Sequence, residues 1–193
     1  MSMYDVKPVT CGHATACGPT SLKMLLDYYG IDVPLETLID ECQIGVAGCN
    51  ATTLLRVGRD HGLDMTSWKM TAADMIRQDR PAILWWRYTH FVVFCGLNDK
   101  DEPVICNPSS GRFPIARATF EEAFSGVALC NGTPEDFGPR AEDNYKTDQV
   151  FRYRTDLWIA LRPITRGEKL VSGWNCKPYS ITEWSNDQKQ KEE

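Results

Sequence analysis

The chain opens without a basic segment followed by an apolar run; Met1-Ser2-Met3-Tyr4-Asp5-Val6-Lys7-Pro8 contains neither. No secretory signal is therefore expected, and the expected compartment is the cytoplasm. Long apolar runs are also missing. Runs such as Pro81 to Trp86 fall far short of the roughly 20 residues that a membrane-spanning helix needs. Positive charge is not in excess: 21 Lys and Arg against 26 Asp and Glu leave a net charge of -5. That balance argues against nucleic acid or an anionic membrane as the main partner. None of the eight cysteines forms a C-x-x-C pair, which disfavours zinc ribbons and dithiol redox motifs. Without an export signal the thiols are expected to be reduced. Histidine is scarce, with three in 193 residues, so a base built on imidazole has few candidates. Internal repeats and low-complexity linkers are absent.

What remains is ordinary globular material, 42% hydrophobic and 24% charged, in a length that suits one domain with a real core. Leu22, Leu25, Leu26 and Tyr29 recur at helical spacing, with Gly30 placed to end the helix. Cys17-Gly18-Pro19-Thr20 thus opens a helix running to about Tyr29, and Pro19 suits its first turn. Further helices are expected over Pro34 to Cys42, over Ala51 to His61 with Asn50 as cap and Gly62 as stop, and over Thr71 to Arg77. The pattern then turns to strands at Pro81–Trp86, His90–Leu97 and Pro103–Pro108. Phe113–Ala116 is expected as a fourth strand and Thr119–Ser125 as a short helix. Residues 131–185 read as an extension carrying one more strand, Leu157–Leu161, and 186–193 as a frayed tail. Helices first and an antiparallel sheet afterwards is an α+β order.

That order places chemistry. Cys17 stands at a helix start, where unpaired N–H groups and the helix dipole are expected to lower a thiol's pKa. A thiolate nucleophile needs a base, and the base needs an orienting group. His90 begins one strand and Asn107 ends its neighbour, so a hairpin could set them side by side. His61 lies at a helix end, which leaves His90, or else His13, as the base. Blander readings stand beside these. A cysteine in a chain with eight is usually structural, a histidine opening an apolar strand is often a satisfied core residue, and Asn107-Pro108 is commonly just a turn. Cys95 and Cys106 read as small buried residues. Cys11, His13 and Cys17 form a C-x-H-x-x-x-C cluster, but with no convincing fourth ligand nearby no metal is expected. Trp85 and Trp86 fit a cleft wall or core packing equally well.

The segment Cys17-Gly18-Pro19-Thr20-Ser21-Leu22-Lys23-Met24-Leu25-Leu26-Asp27-Tyr28-Tyr29-Gly30 resembles the nucleophile helix of the bacteriocin-leader peptidases, papain-like enzymes that cut after a double glycine. His90-Phe91-Val92-Val93 is similar to their histidine strand, and Asn107-Pro108-Ser109-Ser110-Gly111 to the segment bearing their third residue, usually aspartate. Thr119 to Gly126 resembles the family's next segment, so the likeness spans about residues 11 to 130. It implies a papain-like fold in a single domain over 1–193. It also implies a stand-alone thiol peptidase in which Cys17 attacks, His90 is base and then acid, and Asn107 orients it. A thioester would be hydrolysed by water, without a cofactor, on a leader or other small peptide. One departure bears on activity: the family's oxyanion-donating glutamine, six residues before the nucleophile, is Cys11 here. His13, Thr10 or Thr15 are the substitutes, with the backbone N–H of Cys17. Two alternatives stand beside the peptidase, an acyl or peptidyl transferase like phytochelatin synthase and an inactive peptide-binding domain.

Overall fold

A computed structural model describes residues 3–12, 15–45 and 48–132 of the chain. Helix α1 (Cys17–Tyr28) buries Leu22, Leu25 and Leu26 completely. Its end is a Schellman motif: Ile31 N–H donates to Leu26 O and Gly30 N–H to Asp27 O, with Gly30 at φ 77° supplying the left-handed residue. Helices α2 (Leu35–Cys42) and α3 (Ala51–Asp60) pack beside α1. Asn50 caps α3 as expected, its side chain accepting from Thr53 N–H at 2.7 Å.

The sheet has six strands in the order β1-β6-β2-β3-β4-β5, all antiparallel. They are β1 (Met65–Lys69), β2 (Ala82–Trp86), β3 (His90–Leu97), β4 (Pro103–Asn107), β5 (Gly111–Pro114) and β6 (Phe124–Asn131). Two short helices complete the described chain, α4 (Ala72–Ile76), with a Thr71–Asp74 capping box, and α5 (Arg117–Ala123). The α+β expectation holds in its essentials, with two corrections. The strand β1 precedes α4, so helices and strands are not cleanly separated in sequence. After α5 the chain does not stay helical to Ser125; it turns at Phe124 into β6, which inserts between β1 and β2. The extra strand expected at Leu157–Leu161 and the tail at 186–193 lie outside the described residues.

Alternation along each strand divides the sheet into two faces. One face carries Trp86, Phe94 and, beside them, Phe120 of α5, with ring centroids 5.6 and 5.8 Å from Phe120. Helix α1 packs on β3 from the opposite side, where the rings of Trp85 and Phe91 meet at a tilt of 58° with centroids 4.9 Å apart. The start of α1 thus meets the start of β3 at one end of the sheet. Residues 3–6 lie against β3 and β5: Tyr4 N–H donates to Cys95 O, and the Arg112 guanidinium donates to the carbonyls of Tyr4 and Val6. Removing the α3 cap with Asn50→Ala should cost about 1 kcal/mol of stability, read as a lower denaturant midpoint at unchanged slope.

Candidate active site

The hairpin between β3 and β4 brings two of the expected residues together. Val93 pairs with Cys106 in the ladder, so the two strands run side by side toward His90 and Asn107. His90 Nε2 lies 2.9 Å from Asn107 Oδ1. Which atom of the Asn107 amide faces the ring is decided by a second bond. The same Oδ1 accepts from Ser109 N–H at 2.9 Å, in an Asx turn that the Asn107-Pro108-Ser109 sequence favours. Only an oxygen can take both contacts, so the imidazole must be the donor. His90 is therefore protonated on Nε2, and Nδ1 carries the free lone pair.

Cys17 is the first residue of α1. Ala16 has no side chain able to cap the helix, so the first-turn N–H groups are left for other acceptors. The backbone N–H groups of Phe91, the residue next to His90, of Gly18 and of Cys17 itself lie near enough to the Cys17 sulfur to favour its thiolate. The proximity of Phe91 sets the thiol beside the histidine strand. On its other side the helix start packs tightly against Cys49 and α3 because Gly18 has no Cβ: one built there would sit 2.5 Å from Cys49 Sγ and 3.3 Å from Leu54. Pro19, buried in the first turn, gives up no hydrogen bond.

Of the oxyanion candidates, Cys11 is tied by its N–H to Pro108 O at 3.1 Å, which sets it against the Asn107 turn. Its thiol lies close enough to Cys17 to disfavour a second negative charge there. Thr15 is half-buried just before α1, Thr10 is exposed, and His13 lies outside the described residues. His61 has other business: it is the C-cap residue of α3, with Nε2 2.6 Å from Glu41 Oε2. Cys95 and Cys106 are fully buried, as their sequence context suggested.

The electrostatics correct one expectation. Burial is the strongest influence on Cys17 and pushes its thiol up, against the N–H groups of Phe91 and Gly18 that favour the thiolate. Burial also lowers His90, against the hydrogen bond to Asn107 that raises it. Both shifts favour the neutral pair. Burial thus works against the helix start at Cys17, in the direction of thiol and imidazole rather than thiolate and imidazolium.

The ring of His90 and the amide of Asn107 open onto a cleft of about 330 Å³. Trp86, Ile105, Phe113 and Ile115 give it apolar walls, and Arg87, Thr89 and Thr119 supply polar groups. Of the two tryptophans weighed from sequence, Trp86 lines this cleft while Trp85 packs on the other face.

The Peptidase C39 family profile matches residues 5–135. The chain belongs to that family. It is 29% identical over 137 residues to the transport/processing ATP-binding protein ComA of Streptococcus pneumoniae. The likeness to the probable microcin-H47 secretion/processing ATP-binding protein MchF of Escherichia coli is 24% over 113 residues. These matches take up 65% and 58% of this chain but only 18% and 16% of the relatives, so it spans under a fifth of their length. Among solved structures it resembles a double glycine motif protease from an AMS/PCAT transporter, seen in complex with its leader peptide. That likeness has a TM-score of 0.64 and 30% identity over 66% of this chain and 91% of that one. The peptidase domain of Streptococcus ComA shares the fold, with a TM-score of 0.61 at 19% identity, covering 65% of this chain and 96% of the domain. The helices-on-sheet architecture is thus the papain-like fold of the C39 peptidases.

Three elements of this C39 site are not legible in the sequence. The Phe91 N–H that reaches Cys17 is a backbone group, and no residue type encodes it. The Ser109 N–H that fixes the Asn107 amide is foreshadowed by the Asn-Pro-Ser turn signal alone. Arg87 enters the cleft only because the β2–β3 turn carries it there. The raised Cys17 thiol has a direct consequence. Its iodoacetamide labelling should climb steadily as pH rises toward and past the ordinary thiol range, since the thiolate appears only there. Mass-spectrometric rates from about pH 5 to 10 check this, and a plateau already reached near pH 6 would mean a preformed ion pair.

Proposed function

We propose that this chain is a cysteine peptidase that cleaves peptides of the double-glycine leader type, with Cys17 as nucleophile, His90 as general base and acid, and Asn107 as the residue that orients His90. The observation that carries the reading is the hydrogen bond from His90 Nε2–H to an Asn107 oxygen that Ser109 already fixes. It leaves Nδ1 as the basic atom, on a ring whose neighbour in sequence, Phe91, contacts the Cys17 sulfur.

In this mechanism Nδ1 takes the Cys17 proton as sulfur attacks the scissile carbonyl. The resulting imidazolium is held in line by Asn107, which supplies a dipole but no full charge. The oxyanion is met by the N–H of Cys17, which stands at the first position of α1, where no earlier turn offers a carbonyl. His90 then returns its proton to the leaving amine, the acyl group remains on sulfur as a thioester, and water activated at Nδ1 hydrolyses it. Cys11, where the family carries glutamine, is a poor second donor. That loss lowers the expected rate by roughly a hundredfold relative to a site with two good donors.

The apolar cleft beside His90 suits a peptide with hydrophobic side chains, and the AMS/PCAT relative was solved with a leader peptide bound. No helix among the described residues is long and apolar enough to cross a membrane, and the described cysteines form no disulfide with one another. Both fit a domain that meets its peptide in the cytoplasm. The test is cleavage of synthetic double-glycine leader peptides, followed by mass spectrometry. The parent should release two fragments and Cys17→Ala none. His90→Ala should lose on the order of 10²–10⁴-fold in kcat/KM, and Asn107→Ala less than that. Added amines should yield no conjugated product; aminolysis as the dominant route would make the chain a transferase. Peptide binding without any cleavage would make it a binding domain.

A further inference from the structure

Two successive residues in the β2–β3 turn, Arg87 and Tyr88, adopt left-handed backbone conformations, at φ 48° and 59°. Thr89 N–H closes the turn on Trp86 O at 3.2 Å, giving the primed geometry that matches the twist of a hairpin. That geometry favours asparagine and glycine, and a long cationic side chain at the first position is sterically disfavoured there. The fold enforces it from outside. Arg87 N–H donates to Ala123 O at 2.7 Å, and Tyr88 N–H to Ser125 Oγ at 2.9 Å, so the α5–β6 junction pins both residues. The sequence thus keeps an arginine where a smaller residue would sit more easily.

Its surroundings suggest why. Arg87 is exposed and lines the same cleft as His90 and Asn107. Among the described residues the rest of the lining is Trp86, Thr89, Ile105, Phe113, Ile115 and Thr119, none of them acidic, so Arg87 is the one permanent charge that these residues place on the cleft wall. Its guanidinium makes no ion pair among the described residues, although Arg56, Arg77, Arg80, Arg112 and Arg117 each have an acidic neighbour. A guanidinium without an acidic neighbour, carried on a fixed backbone beside apolar walls, is suited to a carboxylate, which it can grip through two parallel N–H bonds. Covering the cleft with a peptide would exclude water and strengthen the attraction.

We propose that Arg87 is a specificity residue that selects peptides carrying an acidic side chain close to the bond Cys17 attacks. This rests on the peptidase reading above, and the experiment separates the two. Fluorogenic double-glycine peptides would be compared that differ only in Glu, Gln or Lys, placed in turn at each position flanking the doubled glycine. At one position the parent should prefer Glu over Gln by roughly tenfold in kcat/KM, and Gln over Lys, with the preference shrinking at high salt. Arg87→Glu should invert the order. Arg87→Asn, which suits the left-handed turn, should fold well and abolish the preference. Equal rates on all three peptides at every position, or a preference that survives Arg87→Asn, would overturn the assignment. Fluorescein-labelled versions would be bound to Cys17→Ala in parallel. A charge preference in binding, with no cleavage by the parent, would keep Arg87 as the selector and overturn the peptidase. Neither binding nor cleavage would overturn both.

Discussion

The hydrogen bond between His90 and Asn107 depends on strand register, and much of the site depends on that bond. A slip of one residue between β3 and β4 would turn every side chain of one strand to the other face and part the imidazole from the amide. The register is held by the Val93–Cys106 and Phe94–Ile105 pairs, whose side chains are almost wholly buried. It is continued outward by β5, where Ile105 pairs with Phe113 and Asn107 with Gly111. Arg112 then ties this edge to the carbonyls of Tyr4 and Val6, so the first residues of the chain brace the strands that carry Asn107.

Cys17 arrives by a separate route. Helix α1 is anchored by its leucines and by a tight C-terminal motif at Gly30, which fixes where its N-terminus must fall. Close packing of that end against α3 depends on Gly18, with the sulfur of Cys49 filling the space where a Cβ would be. Burial gives this junction its chemistry and also sets its cost. The low dielectric that would strengthen oxyanion binding disfavours separated charge at rest, which is why Cys17 and His90 are shifted in opposite directions toward neutrality.

Much of this is legible in the sequence, for identifiable reasons. The helix at Cys17 announces itself through a run of leucines at helical spacing, and the cap at Asn50 through its side-chain chemistry. His90 and Asn107 are marked by their places at the ends of two strongly apolar strands. The strand β1 escapes a reading by pattern because Met65-Thr66-Ser67-Trp68 is buried on both faces yet polar in the middle, with Thr66 satisfied by Gly132 O and by the Trp68 indole. No alternation of apolar and polar residues can show in such a segment. The strand β6 is hidden because its first residues, Phe124-Ser125, continue the pattern of α5; tertiary pairing with β1 and β2 decides its conformation. The pKa direction of Cys17 differs from the expectation because a helix start can be read from sequence and burial cannot.

The proposed mechanism stands or falls on Asn107 holding His90 with its Nδ1 lone pair free for the Cys17 proton. The ¹⁵N shifts and long-range couplings of the imidazoles test this in uniformly labelled protein at a pH above the histidine range. With three histidines in the chain, assignment needs only single His→Gln variants. His90 should be neutral with its proton on Nε2, and Asn107→Ala should turn it into a mixture of tautomers. A His90 protonated on Nδ1 in the parent, or a tautomer unmoved by Asn107→Ala, would contradict that arrangement.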